Sequence, residues 1–470
     1  MSYNIIIIGG VYMKKITELR DKWILTIKRL NVSQIIIFGF LAIIILGTLI
    51  LWLPFSSKSG YSNGLLTALF TATSATCVTG LALGDTYTQW SLFGQVVILT
   101  MIELGGLGFM SVGSLFLFAL RRNVNLRSML IMAQSVGTDN MEDVVRIQKK
   151  IISGGLLVEL IGALVLAARF TKWYSLPKAL WLGVFHSVSA FCNAGFDILG
   201  FIEPGASLFH FKSDAIIIIT LSFLIVIGGI GFVVWDDLTR ERNPKKWSVY
   251  TKIVLISTAI LLITGTAAFL FLEFRNVRTI GRMPLSDKIL NAFFQSVTTR
   301  TAGFAAIDQG GLTETGKILT ILFMFIGGVS GSTAGGLKVV TFVIILLFLL
   351  SRMRGKEEVI VYSRRITETQ IMNALCLFGM MILLSFIGTF IICGTTEFRF
   401  VEGMYETVSA LATVGLSTGV LNGIGLASKL LLIVYMYFGR VGILTISMGF
   451  LQKGTKADTF QYADINLPIG

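Results

Sequence analysis

Four stretches of the chain end alike: TSATCVTGL at Leu81, SVSAFCNAGF at Phe196, SVTTRTAGF at Phe304 and TVSALATVGL at Leu416. Their glycines, Gly80, Gly195, Gly303 and Gly415, stand 115, 108 and 112 residues apart. Each glycine closes a short apolar segment (65–81, 179–196, 289–304 and 404–416), too short to cross a bilayer and too apolar for an outer loop. The loops hold small and hydroxylic residues and no ring of acidic ones. What they share is backbone carbonyl oxygen, the group that replaces water around a dehydrated potassium ion. Glycine permits the positive φ that turns a carbonyl inward and lets several chains approach closely. Non-helical backbone at membrane depth must be buried in protein or line a wet cavity. The expected lining is therefore Thr76, Cys77, Val78, Thr79 and Gly80; Cys192, Asn193, Ala194 and Gly195; Thr301, Ala302 and Gly303; and Thr413, Val414 and Gly415. Within it, carbonyls at Val78, Gly80, Asn193, Gly195, Thr301, Gly303, Thr413 and Gly415 are the expected potassium ligands. The hydroxyls of Thr76, Thr79, Thr299, Thr301 and Thr413 would add oxygens or fix loop geometry. A single TVG-like tripeptide would signify only a packing glycine. Four of them, each after a short apolar helix, point to a filter.

The elements that must hold these loops are membrane spans. Of the 470 residues, 54% are hydrophobic and 14% charged, about half the charged share of a soluble domain, and mean hydropathy is +0.80. Long apolar blocks predict eight spans near 34–54, 93–120, 150–170, 214–235, 250–273, 316–350, 370–394 and 428–451. Each glycine loop falls between the members of a pair. The expected fold is all-α and polytopic: four tandem units of span, re-entrant pore helix and span around one pseudo-fourfold pore. The unit bounds are 34–120, 150–235, 250–350 and 370–451, with an N-terminal segment at 1–33 and a tail at 452–470. The net charge of +13 is not a nucleic-acid signature, because it sits in clusters before the first span, at 14–29, and after every second span, at 121–150, 240–252 and 352–365. That pattern places both termini in the cytoplasm of a plasma-membrane protein. The basic residues at 275–288 are an exception to it.

Charged residues near the loops carry open alternatives. Arg300 stands three residues before Gly303 and would repel cations from the pore, so it is expected behind the loop, bonded to carbonyls or a carboxylate. Asp197, Asp308, Glu402 and Glu406 lie near outer ends, either drawing cations to the mouth or as ordinary solvated charge. The sixth span contains Gly327, Gly328, Val329, Ser330, Gly331, Ser332, Thr333, Ala334, Gly335 and Gly336, followed by Leu337 and Lys338. Each helical glycine costs about 1 kcal/mol against alanine, so this stretch is a gate candidate or a kink. It is not a phosphate-binding loop, which needs GxxxxGK[ST] between strand and helix. Arg440, inside the last span, is either a barrier in the pore, or it snorkels or pairs with Glu103 or Glu159.

Other chemistry finds little support. Cys77, Cys192, Cys376 and Cys393 form no CxxC pair, His186 and His210 cannot build a multi-histidine metal site, and no catalytic constellation is evident. The chain is not expected to be an enzyme or to carry a covalently bound cofactor. No cleavable signal is evident, and Met13 is an alternative start. A carrier built from inverted repeats is the competing transport reading, but these repeats run parallel.

ATCVTGL, FHSVSAFCNAGFD, FQSVTTRTAGF, the ETVSALATVGLSTG run, GGVSGSTAGGLKVVT from Gly327 and YFGRVGILT from Tyr437 together resemble the Trk/Ktr/HKT superfamily of potassium transporters, most of all its bacterial Ktr-type membrane subunit. The resemblance covers the chain from first span to last. It implies potassium uptake, often sodium-stimulated, and a homodimer with one pore per subunit. It also implies a cytosolic nucleotide-binding regulatory ring supplied by another chain. The resemblance makes Gly80, Gly195, Gly303 and Gly415 the filter glycines, 327–338 the intramembrane gating loop and Arg440 the pore arginine. Glycine at all four positions is similar to the potassium-selective members.

Overall fold

Asn31 opens the first helix with a capping box: its side chain accepts from Gln34 N, and Gln34 accepts in return from Asn31 N. Ser91, Asp214, Ser248, Thr313 and Thr367 likewise cap later helices through side-chain oxygens. The computed structural model describes residues 31–108, 141–442 and 445. Most of the N-terminal segment 1–33, the end of the first unit at 109–120, most of the basic stretch 121–150, most of 443–451 and the tail 452–470 lie outside the described residues.

The first unit contains α1 (Val32–Trp52), α2 (Leu65–Thr76) and α3 (Leu92–Gly106). The second contains α4 (Met141–Phe170), α5 (Leu176–Phe191), α6 (Ala215–Gly229) and α7 (Phe232–Arg240). The third contains α8 (Val249–Glu273), α9 (Leu285–Thr298), α10 (Glu314–Phe325) and α11 (Val339–Met353). The fourth contains α12 (Glu368–Thr395), α13 (Phe400–Leu411) and α14 (Leu426–Val441). A two-residue antiparallel ribbon, Ile360–Val361 with Arg364–Arg365, joins the third unit to the fourth.

The helices long and apolar enough to span are α1, the apolar part of α4, α8 and α12, which open the four units, with mean hydropathies of 2.3 to 2.9. Their outward faces carry exposed aliphatics, as at Ile256, Ile260 and Ile263 on α8, a surface made for lipid chains. The second spans differ from expectation. The expected continuous span at 214–235 is broken between α6 and α7 with a bend of 93°. The span expected at 93–120 leaves helix after Gly106, and the one at 428–451 after Val441. Glycines with positive φ follow all three: Gly108 (+82°), Gly231 (+91°) and Gly442 (+92°).

The ring closes by helix packing. The inner helix of each unit lies against the pore helix of the next: α3 on α5, α6 on α9, α10 on α13, and α14 back on α2. Within each unit the long outer helix backs its own pore helix, as α4 does α5. Four parallel units in sequence order thus surround one axis.

Candidate ion-conduction site

The four loops meet at their glycines. A Cβ placed on Gly80 would lie 2.5 Å from the Ala194 carbonyl oxygen, one on Gly195 2.7 Å from that of Ala302, and one on Gly303 2.5 Å from that of Val414. A Cβ on Gly415 would collide with the Thr79 carbonyl, which completes the circle. No side chain fits at any of the four positions, so glycine is required by the neighbouring backbone as well as by φ. Positive φ recurs at Val78 (56°) and Gly80 (94°), Asn193 (59°) and Gly195 (68°), Thr301 (63°) and Gly303 (79°), and Thr413 (51°) and Gly415 (93°). Thr79, Ala194, Ala302 and Val414 between them are not among the positive-φ residues. Non-glycine residues enter this region at a cost of about 1–3 kcal/mol each and persist where the surroundings enforce them. Alternating handedness turns successive carbonyls to one side of a chain, unlike the opposed carbonyls of a strand.

Each pore helix supplies the restraint. Backbone N–H groups of Thr79, Ala194 and Val414 donate to the carbonyls of Ser74, Ser189 and Ser409 at 2.8, 2.7 and 2.7 Å. Ala302 N donates to Thr298 O at 2.9 Å. The hydroxyls of the same four residues add a second tie. Ser74 and Ser409 accept from Gly80 N and Gly415 N, while Ser189 and Thr298 donate to Phe196 O and Phe304 O. From anchor to glycine the third loop is one residue shorter than the others, a difference hidden when the motifs are aligned only on their glycines. Thr299 donates back to Ser296 O, fixing the helix end, and Thr301 Oγ1 accepts from Gly335 N. Thr76, Thr79 and Thr413 hydroxyls have no hydrogen-bond partner among the described residues.

Beneath the ring every inner helix breaks at a related sequence: GGLG from Gly105, GGIG from Gly228, GGVSG from Gly327 and GRVG from Gly439. A Cβ on Gly105, Gly228 or Gly439 would strike the carbonyl of Thr76, Phe191 or Leu411, the last residue of each pore helix. The pattern was legible, but hydropathy averages it into an unbroken span. In the third unit the break opens into a re-entrant hairpin loop, 327–338, whose two ends run parallel rather than antiparallel where Ile326 and Leu337 are bridged, with Gly327 N donating to Leu337 O at 2.9 Å. The hairpin docks on the α6–α7 elbow through Val329 N to Gly229 O, Thr333 N to Gly228 O and Phe232 N to Gly331 O. Tyr250 OH donates to Ser330 O, and Thr333 Oγ1 to Phe191 O at 3.2 Å. Lys338 Nζ donates to Ala334 O at 2.7 Å within the hairpin. Ser332 Oγ donates to Val329 O, and positive φ at Gly331 and Gly336 turns the chain.

Arg440 reaches across this level. Its guanidinium donates to the carbonyls of Thr333 in the hairpin and of Gly105 and Gly106 in the first unit, the last at 3.1 Å. Among the described residues it makes no ion pair with Glu103 or Glu159. Those two carboxyls instead group with Cys192 behind the second loop, with the Cys192 thiol 3.6 Å from Glu103 Oε2 and 3.8 Å from Glu159 Oε1. Arg300 is buried with its guanidinium 5.7 Å from the Phe323 ring centroid, and its Nε and one terminal nitrogen have no hydrogen-bond partner among the described residues, so neither the expected bonds to loop carbonyls nor those to a carboxylate are formed there.

Above the ring lies a cavity of about 230 Å³, floored by the four glycines and lined also by Asp85, Asp197 and Ser207. Asp197 is held there by Leu199 N at 3.1 Å, and burial pushes its carboxyl up to about 6. Asp85, which the sequence reading passed over, caps the turn Thr86–Gln89 and accepts from Gly205 N of the second unit. Asp308 is exposed. Glu402 pairs with Lys317 at 3.7 Å, and Glu406 is fully buried, so neither is free charge at the mouth.

Four units around one axis, a ring of loops and a level of broken inner helices beneath it define a multi-pass membrane transport protein. The chain belongs to the TrkH family, described as cation transport proteins, whose match runs over residues 4–462. It is 37% identical over 448 residues to the potassium/sodium uptake protein NtpJ of Enterococcus hirae, covering 94% of this chain and 98% of that one. It is 36% identical to the Ktr system potassium uptake protein B of Bacillus subtilis, covering 94% and 97%. Its fold matches the crystal structure of the potassium transporter TrkH from Vibrio parahaemolyticus with a TM-score of 0.66 at 18% identity, over 87% of this chain and 84% of that one. The expected four-unit fold is thereby borne out, and family and fold are those of ion transport rather than enzymes.

Proposed function

We propose that this chain takes up potassium through a filter of backbone carbonyls at the four-glycine ring. The observation that carries the reading is the ring itself: four glycines, each against the carbonyl preceding the next, with alternating positive φ in every loop. The names of the relatives, potassium/sodium uptake and Ktr potassium uptake, supply the cation.

A hydrated cation gathers in the outer cavity beside Asp85 and Asp197 and exchanges water for carbonyls at Val78, Gly80 and their equivalents. Below, it meets the hairpin 327–338 and the Arg440 guanidinium. Arg440 ties the fourth unit to the first and third, so displacing the hairpin would free one of its carbonyl partners and lower the barrier. Inward movement of one charge releases about 2.3 kcal/mol per 100 mV, so the gradient suffices as driving force. Sodium stimulation, a homodimer, cytoplasmic termini and a cytosolic nucleotide-binding ring that moves the hairpin belong to the same reading and rest on the Ktr-type resemblance. The test is flux of potassium into vesicles containing the purified chain, with sodium as competitor. Saturable, potassium-selective flux is expected; equal flux of both ions would sink the filter.

A further inference from the structure

One register position repeats behind the filter. Nine residues before the filter glycine stand Thr71, His186 and Glu406, and the shorter third loop brings Gln295 into the same place. All four are buried. In the third unit Gln295 pairs with Gln309 of the segment leaving the loop, through bonds of 2.7 and 3.1 Å. In the fourth, Glu406 Oε1 gathers three donors from the segment leaving its loop: Ser417 Oγ at 2.9 Å, Thr418 N at 2.8 Å and Thr418 Oγ1 at 3.0 Å. The neighbouring Tyr405 donates to Gln309 at 2.9 Å. A Cβ on Gly310 would lie 2.8 Å from Thr418 O, so the two exit segments touch. His186 instead turns its Nδ1 to Leu182 O of its own helix, among the rings of Phe170, Phe185 and Phe304.

We infer that Glu406 is a positioning residue for ion selection. It grips Ser417 and Thr418, two and three residues past Gly415, and so fixes that glycine in the ring; Tyr405 and Gln309 extend the grip to the third loop. A filter discriminates between ions through the number and placement of its carbonyls, and a slack exit segment lets the fourth set drift. The inference rests on the carbonyl-filter reading. All three bonds converge on one acceptor oxygen, which an amide retains and a methyl lacks.

The experiment is flux of rubidium and potassium, with sodium as competitor, into vesicles containing the full chain. Glu406→Ala, which removes all three bonds, should lower potassium-over-sodium discrimination by about tenfold, equivalent to about 1.4 kcal/mol of lost positioning, while sodium passes more freely. Glu406→Gln should recover discrimination to within about threefold of the parent, since it keeps the acceptor. Thr418→Val, which removes one donor from the other side, should give an intermediate loss and serves where Glu406→Ala does not fold. Unchanged discrimination in Glu406→Ala or Thr418→Val, or a Gln variant no better than the Ala one, overturns the inference. A parent protein that does not discriminate at all would instead overturn the filter reading.

Discussion

Replacing Gly80 by serine tests the ring at one point. Gly80 has φ of +94°, and its new Cβ would stand 2.5 Å from Ala194 O and 3.1 Å from Gly195 Cα, both backbone atoms. Ordinary contact lies at roughly 3.5 Å, so the first and second loops must separate by about 1 Å or Gly80 must leave its conformation. A side chain in left-handed backbone costs about 1–2 kcal/mol. If that strain falls on the potassium-bound state, discrimination over sodium drops roughly five- to thirtyfold. Gly60→Ser is the control: φ is +75°, with nothing within 4 Å of the new Cβ, so it carries the backbone strain without touching a loop. The assay is potassium uptake into vesicles under increasing external sodium, with insertion and folding verified. Full discrimination in a well-folded Gly80→Ser protein would refute the close-packed ring at that position.

Three further outcomes follow from the level beneath the filter and the cavity above it. Deleting part of 327–336 should raise potassium flux in the absence of any regulatory chain, and flux equal to the parent's would assign the hairpin a purely structural part. Arg440→Ala removes donors to Thr333, Gly105 and Gly106; conductance measured in planar bilayers should rise, and an unchanged value would remove the barrier role. Asp197, raised to about 6 by burial, is negative above that pH and neutral below it. Uptake at low potassium should therefore decline as external pH falls through 6, and Asp197→Asn should be slower at neutral pH and lack that decline.

The repeated loops were legible because the ring demands glycine at one position in every unit, and that demand leaves a signature of small residues just before each glycine. The long outer helices were legible from hydropathy, since lipid contacts them along their length. Of the broken inner helices only the third, at Gly327 to Gly336, was legible. Gly229-Ile230-Gly231 and Gly439 to Gly442 sit within apolar runs, and a window of about 19 residues averages away the glycines that end the helix. The fate of charged residues also lay beyond the sequence. Glu406 looked like an outer carboxylate and is fully buried, because its partners Ser417 and Thr418 fold back over the pore helix. Arg440 was readable as costly but not as the crosspiece between three units, since its partners are carbonyls more than a hundred residues away.

The central claim is that backbone carbonyls of the four loops bind the ion. Crystals of the chain soaked in rubidium would test it by anomalous diffraction. The account predicts peaks on the pseudo-fourfold axis at the level of Gly80, Gly195, Gly303 and Gly415, with backbone oxygens as ligands. Peaks held instead by side-chain carboxylates, with the axis at that level empty, would contradict it.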